Sequence, residues 1–198
     1  MKKIAITGGL SSGKTSVCHI LQACGAYVVS ADEIVRRLLT PETAVGQEVI
    51  HLLGSEILSG PKIDRDKIAK KVFSQPELLN RLEQLLHPKV FDEIEKQYQK
   101  ISKERKYTLF VAEIPLLFES ESHHLFDLVI AVLTDEKLAK ARYSDSTGKT
   151  DFESRMTRQI DPTRKAIKAD FVIQNNGSLE ELKKQVTHLY KTQLTSVK

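Results

Sequence analysis

Cysteine is scarce in this chain of 198 residues, which has only Cys18 and Cys24. A separation of six positions on a predicted helix turns the two side chains toward different sides. A zinc site requires three or four clustered ligands, and a secreted disulfide scaffold requires many more cysteines. We therefore interpret both residues as reduced side chains that fill space, and we expect a cytoplasmic protein.

Long apolar runs and blocks of like charge are also missing. The first apolar stretch covers only Ile4–Ile6, whereas a signal peptide needs roughly 7–15 apolar residues. The longest apolar run, 128–133, is far too short for a membrane span. The net charge of +4 suits a protein that handles anionic ligands, but it is too small to indicate nucleic acid. We expect neither a membrane nor a nucleic acid partner.

Short apolar segments predict a parallel sheet. The first segment leads into a glycine-rich turn and then a helix with apolar residues at helical spacing, and a second segment follows Gly25. This order of strand, turn, helix and strand is typical of a parallel sheet covered by helices. Ser178 and Glu181 form a capping-box pattern at the start of a final helix. The predicted strands are 3–7, 27–29, 107–112, 128–133 and 171–173.

Two segments interrupt this alternation. Residues 32–106 are apolar at helical spacing and contain no convincing strand, so they predict a helical insertion. Residues 136–168 are helical, polar and basic, with a break at Thr147-Gly148. The sheet is then expected to be formed by residues 1–31, 107–135 and 169–198.

The glycine-rich turn Gly8–Thr15 satisfies the phosphate-binding pattern G-x-x-x-x-G-K-[ST]. Its glycines let backbone N–H groups surround phosphate oxygens, and the following helix offers unpaired N–H groups to the same anion. Lys14 is expected to reach the β- and γ-phosphates, and the Thr15 hydroxyl to bind Mg²⁺. We predict that ATP is held by these residues: Gly8, Ser11, Ser12, Gly13, Lys14, Thr15 and Ser16.

The surrounding sequence narrows the class of P-loop protein. A GTPase needs an Asn-Lys-x-Asp motif, which is absent, and the D-x-x-G match at Asp145–Gly148 follows a helix instead of a strand. A large motor ATPase needs a longer chain. A small helical insertion after the second strand is how small-molecule kinases build an acceptor site.

Motifs spread over nearly the whole chain resemble the dephospho-CoA kinase family. The string Pro115–Glu119 after a strand is the most specific of them. The resemblance implies a five-stranded parallel sheet in a nucleotide-binding core (1–31, 107–135 and 169–198), a helical CoA-binding domain (32–106) and a mobile lid (136–168). It is carried, in the family's order, by Thr7-Gly8-Gly9, Ser12-Gly13-Lys14, Ser30-Ala31-Asp32, Ile63-Asp64-Arg65, Leu86-His87-Pro88, Pro115-Leu116-Leu117-Phe118-Glu119 and Ala169-Asp170-Phe171-Val172-Ile173 with Asn175 and Gly177.

The resemblance also implies roles for single residues. Asp32 matches the carboxylate that faces the acceptor hydroxyl, and a carboxylate after the second strand is expected in the crevice above the P-loop. A helix N-cap is the alternative for Asp32. Arg65 and His87 match residues near the acceptor, with a surface salt bridge and a pre-proline helix cap as their alternatives. Asn175 matches the loop that holds adenine, and an ordinary strand-to-helix turn is its alternative.

The chain departs from the family at several positions. Ser11 replaces a usual glycine, Ser30 a frequent aspartate and Glu113 the usual aspartate before Pro115. In the lid, the two family arginines align with Lys140 and Ser144. Arg142, Arg155 and Arg158 remain candidates for holding the transferring phosphoryl group, and a solvated basic helix is their alternative.

The sequence thus predicts ATP-dependent, Mg²⁺-dependent phosphorylation of the 3′-hydroxyl of dephospho-CoA, with Lys14, Asp32 and Arg142 as catalytic residues. The expected ligands are ATP and dephospho-CoA, and the expected state is a monomer or a weak homo-oligomer. Another small-molecule kinase, for example one for nucleosides, is the first alternative. A nucleotide switch or a partner-driven ATPase is the second.

Overall fold

A computed structural model describes residues 1–148, 151–157 and 159–195, so Arg158 lies outside the described residues. The chain divides into two compact units, one formed by Met1–Ser30 with Gln97–Lys198 and the other by Ala31–Lys96. The first unit contains the large sheet, and the second unit is mostly helical.

The described strands are, in chain order, β1 (Lys2–Gly8), β2 (Tyr27–Ser30), β3 (Leu58–Ser59), β4 (Lys62–Ile63), β5 (Leu109–Glu113), β6 (Leu128–Leu133) and β7 (Phe171–Gln174). The described α-helices are α1 (Lys14–Ala23), α2 (Ala31–Leu38), α3 (Ala44–Leu53), α4 (Arg65–Phe73), α5 (Pro76–Glu104), α6 (Glu136–Thr147), α7 (Phe152–Met156), α8 (Pro162–Lys168) and α9 (Leu179–Leu189).

The sheet of the first unit has five parallel strands in the order β2-β5-β1-β6-β7. Because all strands point the same way, their carboxyl ends meet at one edge, which is where ligands bind in open α/β sheets. β1 pairs with β5 and β6 on either side, so the turn after Gly8 leaves the middle of that edge. The predicted fold class, a five-stranded parallel sheet flanked by helices, is confirmed.

Alternation along β1 explains how the helices cover the sheet. Ile4 and Ile6 belong to one buried cluster with Val17 and Leu21 of α1 and Val186 of α9. α8 packs against β1 and β6. The predicted capping box is present at the start of α9, where Ser178 and Glu181 each accept a hydrogen bond from the other's backbone N–H.

The helical unit has its own apolar core, and it also corrects the prediction that residues 32–106 contain no strand. β3 and β4 form a two-stranded antiparallel hairpin, with Leu58 opposite Ile63. Each strand has two residues, too few for an alternating pattern to be recognised. The core consists of Leu39, Val45, Val49, Leu53, Ile57, Ile68, Val72, Leu82 and Leu86.

α5 runs through Pro88 without ending, so the interpretation of His87 as a helix cap is wrong. Proline removes one backbone hydrogen bond of a helix. Buried apolar residues at four-residue spacing lie on both sides of it, Leu86 before and Val90 and Ile94 after, and Leu86 belongs to the core of the helical unit. Packing therefore outweighs the local break at Pro88.

Candidate active site

The turn after β1 has the backbone geometry that its glycines predict. Gly8 has φ 145° and Gly13 has φ 92°, values that L-residues rarely adopt. A Cβ at Gly8 would lie 2.3 Å from the carbonyl oxygen of Val132, and one at Gly13 would lie 2.1 Å from Nδ2 of Asn175. Both positions therefore require glycine for space as well as for φ.

Ser11 is the departure from the family pattern within this turn. Its φ of 52° lies in the left-handed region that favours glycine. Serine reaches this region at an energetic cost that glycine avoids. Ser11 thus keeps the backbone path at some strain.

α1 begins without a side-chain cap, since Gly13 stands at its N-cap. The first N–H groups of a helix have no partner within it and attract anions. Lys14 is largely buried, and its ammonium donates to the carbonyl oxygens of Gly8 (3.2 Å) and Gly9 (2.7 Å). The ammonium is thus held within the turn, beside the start of α1.

Glu113 ends β5 beside the phosphate-binding turn. The Thr15 hydroxyl donates to its Oε1 over 2.9 Å, and Glu113 is paired in register with Ile6. Hydroxyl and carboxylate oxygens are the ligands that Mg²⁺ takes in proteins, together with substrate phosphates and water. Thr15 and Glu113 therefore fit a Mg²⁺ ion, despite the longer side chain that Glu113 has in place of the usual aspartate.

The side chain of Asn175 contacts the backbone of the phosphate-binding turn. Its buried side-chain amide donates to the carbonyl oxygen of Ser12 over 2.8 Å. The Thr134 hydroxyl reaches the same Ser12 carbonyl at 2.9 Å and the Asn175 carbonyl at 3.2 Å. Sequence reasoning missed Thr134, although its place directly after β6 puts it at the carboxyl edge of the sheet.

Arg142 of α6 lies at the phosphate-binding turn. It donates to the carbonyl oxygen of Asn175 over 3.0 Å. Together with Ser146 it lines a cavity of about 250 Å³ whose other walls are the turn and Glu113. The structure thus brings together Ser11, Ser12, Gly13, Lys14, Thr15, Glu113 and Arg142. Ser16 follows as the third residue of α1.

The other described lid candidate, Arg155, is engaged elsewhere. Its Nε donates to Asp151 over 2.8 Å, and the Tyr143 hydroxyl donates to the other oxygen of the same carboxylate. These hydrogen bonds, first from Tyr143 and then from Arg155, lower the pKa of Asp151 to about 2. Lys140 pairs with Glu153. Lys140 and Tyr143 of α6 therefore join this helix to α7 and its N-cap, whereas Arg155 binds Asp151 within α7.

The three acceptor-side residues belong to the helical unit. Asp32 is exposed and lies in the first turn of α2, which begins at Ala31, so the alternative of an N-cap is wrong. The chain passes directly from the last residue of β2 into this helix. Arg65 is the exposed first residue of α4, after an N-cap formed by Asp64. His87 is half-buried within α5.

Two larger cavities adjoin the carboxyl edge. One of about 630 Å³ is lined by the phosphate-binding turn, the end of β6, the start of α6 and, farther along the chain, Met156, Thr157, Gln159, Asp161, Pro162 and Thr163. Another of about 560 Å³ opens at the turn from Asn175 to Ser178 and along α9.

Cys18 is buried, and burial raises the pKa of its thiol, with a further contribution from Glu113. This agrees with its interpretation as a packing residue. Within the described ranges, no helix is long and apolar enough to span a membrane. The same part of the chain has no group of three His, Cys, Asp or Glu residues placed to hold a metal ion by themselves.

Comparisons with known proteins agree with this architecture. The family model described as dephospho-CoA kinase matches residues 2–181. A dephospho-CoA kinase of Protochlamydia amoebophila is 48% identical over 193 residues, which are 96% of this chain and 95% of that protein.

Solved structures extend the likeness to three dimensions. A protein of Thermus thermophilus superposes with a TM-score of 0.80 at 27% identity and 97% coverage of both chains. A dephospho-CoA kinase from Campylobacter jejuni superposes with a TM-score of 0.70 at 28% identity, covering 96% of this chain and 95% of its own. This chain belongs to the dephospho-CoA kinase family.

Proposed function

We propose that this protein transfers the γ-phosphoryl group of ATP to the 3′-hydroxyl of dephospho-CoA, giving CoA and ADP in the last step of coenzyme A synthesis. The observation that carries the proposal is the cavity shared by the phosphate-binding turn, Glu113 and Arg142, in a chain of this family. In the reaction the hydroxyl oxygen bonds to the γ-phosphorus, the bond from that phosphorus to the bridging oxygen breaks, and ADP leaves.

The phosphate end of ATP fits the turn. Backbone N–H groups around Gly8 and Gly13 and at the start of α1 would surround the β- and γ-phosphates. Lys14, which now contacts carbonyl oxygens of the turn, would exchange them for phosphate oxygens. Arg142 would neutralise charge that spreads over the transferring group. The cavity at Asn175–Ser178 is the proposed place of the adenine.

Mg²⁺ would be held by the Thr15 hydroxyl, with Glu113 bound to it through water. The hydrogen bond of 2.9 Å between the two side chains supports this pairing, because it shows that both reach one point. When bound, the ion neutralises phosphate charge.

Asp32 is the proposed acceptor of the hydroxyl proton. It follows the end of β2 by two residues, and the carboxyl ends of β2, β5 and β1 share one edge of the sheet. A carboxylate accepts a hydrogen bond from the 3′-hydroxyl and aligns it for attack. Arg65 and His87 are proposed to bind phosphate groups of dephospho-CoA. The helical segment 32–106 would be the CoA-binding domain, and 136–168 the lid.

Coupled ADP release tests the proposal. Dephospho-CoA should support rapid turnover with Mg²⁺ and ATP, whereas adenosine, AMP and pantothenate should not, and ATP alone should be nearly inert. Preference for a nucleoside would favour another small-molecule kinase. ATP turnover without any acceptor would favour a partner-driven ATPase. A cytoplasmic location and a monomeric or weakly homo-oligomeric state complete the proposal.

A further inference from the structure

A buried lysine outside the proposed catalytic set occupies the middle of α8. Lys165 has no exposed surface, which is rare for lysine. Its ammonium donates to the carbonyl oxygen of Pro115 over 2.7 Å and pairs with Oε1 of Glu119 at the same distance. Both partners belong to the segment that follows β5. Burial lowers the pKa of Lys165, and the ion pair with Glu119 opposes that shift.

This ion pair is linked to the phosphate-binding turn on the side of β1. The hydroxyl of Thr7, the residue before Gly8, donates to the same Pro115 carbonyl over 3.3 Å. Thr7 has no exposed surface, so its hydroxyl cannot turn to water instead. Pro115 thereby joins the ammonium of Lys165 to the end of β1.

A second link reaches the other side of Gly8. Pro162, the first residue of α8, packs against Gly9. A Cβ added to Gly9 would lie 3.0 Å from Cγ of Pro162. Glu119 also accepts a hydrogen bond from the backbone N–H of Ile160 over 2.8 Å, which fixes the chain just before α8. The position of α8 thus limits where Gly9 can lie.

We propose that Lys165 is a positioning residue that holds the phosphate-binding turn in its nucleotide-binding geometry. It acts on the Gly8 side of the turn through Pro115 and Thr7, and on the Gly9 side through α8 and Pro162. Lys165 touches no substrate. Its buried charge is useful because a neutral side chain would pack α8 without fixing the Pro115 carbonyl. The inference rests on the proposed function for ATP as the occupant of the turn.

Three substitutions separate positioning from stability. Lys165→Met keeps the length but leaves Glu119 as an unpaired buried charge, and we expect the Tm to fall by roughly 10 °C. The double variant Lys165→Met/Glu119→Gln removes both charges and should recover most of that loss. Glu119→Gln alone keeps the bond from Lys165 to Pro115 and an oxygen that can accept from the Ile160 N–H, so both links to the turn remain. Lys168→Met, an exposed residue of the same helix, controls for the lost positive charge.

The decisive measurement is the Kd of MgADP by calorimetry, beside kcat and KM for ATP. We expect the double variant to bind MgADP about 10-fold more weakly despite its recovered Tm. A displaced turn would misplace at least one hydrogen bond to the phosphates, and the loss of one such bond raises the Kd by about 10-fold. The Kd of MgADP for Glu119→Gln and for Lys168→Met should stay within about 3-fold of the value for the unmodified protein.

Two results would overturn the inference. The first is a double variant that recovers both Tm and MgADP affinity, which makes the pair purely structural. The second, available even if the Lys165 variants fail to fold, is a Glu119→Gln protein whose affinity falls with its Tm. If the unmodified protein binds MgADP but does not phosphorylate dephospho-CoA, the proposed function is rejected and the inference about Lys165 is not.

Discussion

Lys14 is the residue on which the phosphate-binding assignment depends most directly. In Lys14→Ala the transferring phosphoryl group loses a positive charge, and we expect kcat to fall by on the order of 10³-fold or more. The hydrogen bonds to Gly8 and Gly9 are lost as well, so the free energy of unfolding should fall by no more than about 2 kcal/mol. Steady-state kinetics and urea unfolding measure the two effects. A folded Lys14→Ala protein with normal turnover would reject the assignment.

Glu113 gives a test of the metal site. Glu113→Gln keeps the side-chain length and an oxygen for the Thr15 hydroxyl but removes the charge that favours a cation. We expect the Mg²⁺ concentration for half-maximal activity to rise by roughly 10-fold or more, which is the usual effect of replacing a residue that supports a metal ion through water or through another ligand. Glu113→Asp, which restores the usual family residue, is the control and should remain active. An unchanged Mg²⁺ requirement in Glu113→Gln would exclude Glu113 from the site.

Asp32 distinguishes acceptor chemistry from a structural role. Asp32→Asn should reduce kcat by roughly 10²- to 10⁴-fold, the range for loss of a general base, with little change in ATP affinity. Glu33→Gln is a matched control, since both carboxylates lie in the first turn of α2. Each substitution removes one favourable helix-dipole interaction of about 0.3–1 kcal/mol. Normal turnover of dephospho-CoA by folded Asp32→Asn protein would contradict the proposed role.

At the scale of elements, short apolar segments predicted the sheet well because its three central strands, β5, β1 and β6, are buried on both faces. The strand expected at 107–112 is observed at Leu109–Glu113, and the other four differ by at most two residues at either end. The two-residue strands β3 and β4 could not be predicted, because so short a segment has no period. The continuity of α5 through Pro88 depends on packing of apolar residues that local sequence rules do not weigh.

In the site, too, some residues could be predicted from the sequence and others could not. The glycines of the turn and Lys14 follow from a contiguous motif, so they could be predicted from sequence. The hydrogen bonds of Asn175, Thr134 and Lys165 join residues that are distant along the chain. No spacing rule brings such residues together, and only the folded sheet edge does.

Helix α6 carries Arg142, which lines the cavity at the phosphate-binding turn. Arg142→Ala should lower kcat more than it weakens ATP binding, because a residue that contacts the transferring group acts mainly in the transition state. Arg155→Ala should have the smaller effect on kcat, since Arg155 is bound to Asp151 at the start of α7. Single-turnover kinetics and the Kd of ATP measure both variants. A larger kcat loss in Arg155→Ala than in Arg142→Ala would reverse the assignment.

At the scale of the whole molecule, each compact unit has its own apolar core and each is expected to respond to a different ligand. The phosphate-binding turn lies in the first unit, and Asp32, Arg65 and His87 lie in the second. MgADP at 100 times its Kd should stabilise the fold by about 2.7 kcal/mol and raise the Tm by roughly 5–10 °C. Lys14→Ala should abolish most of that shift at the same MgADP concentration.

Hydrogen exchange then locates each response. MgADP should slow exchange in α1, at the turn after β7 and in α6, because these elements line the proposed nucleotide site. Dephospho-CoA alone should slow exchange within residues 31–96, including the starts of α2 and α4 where Asp32 and Arg65 lie. Inosine is a suitable control ligand because it lacks the phosphates that Arg65 and His87 are proposed to bind. Protection of α6 that is already complete without nucleotide would remove the lid from the mechanism. Dephospho-CoA protection confined to the first unit would remove the helical segment from acceptor binding.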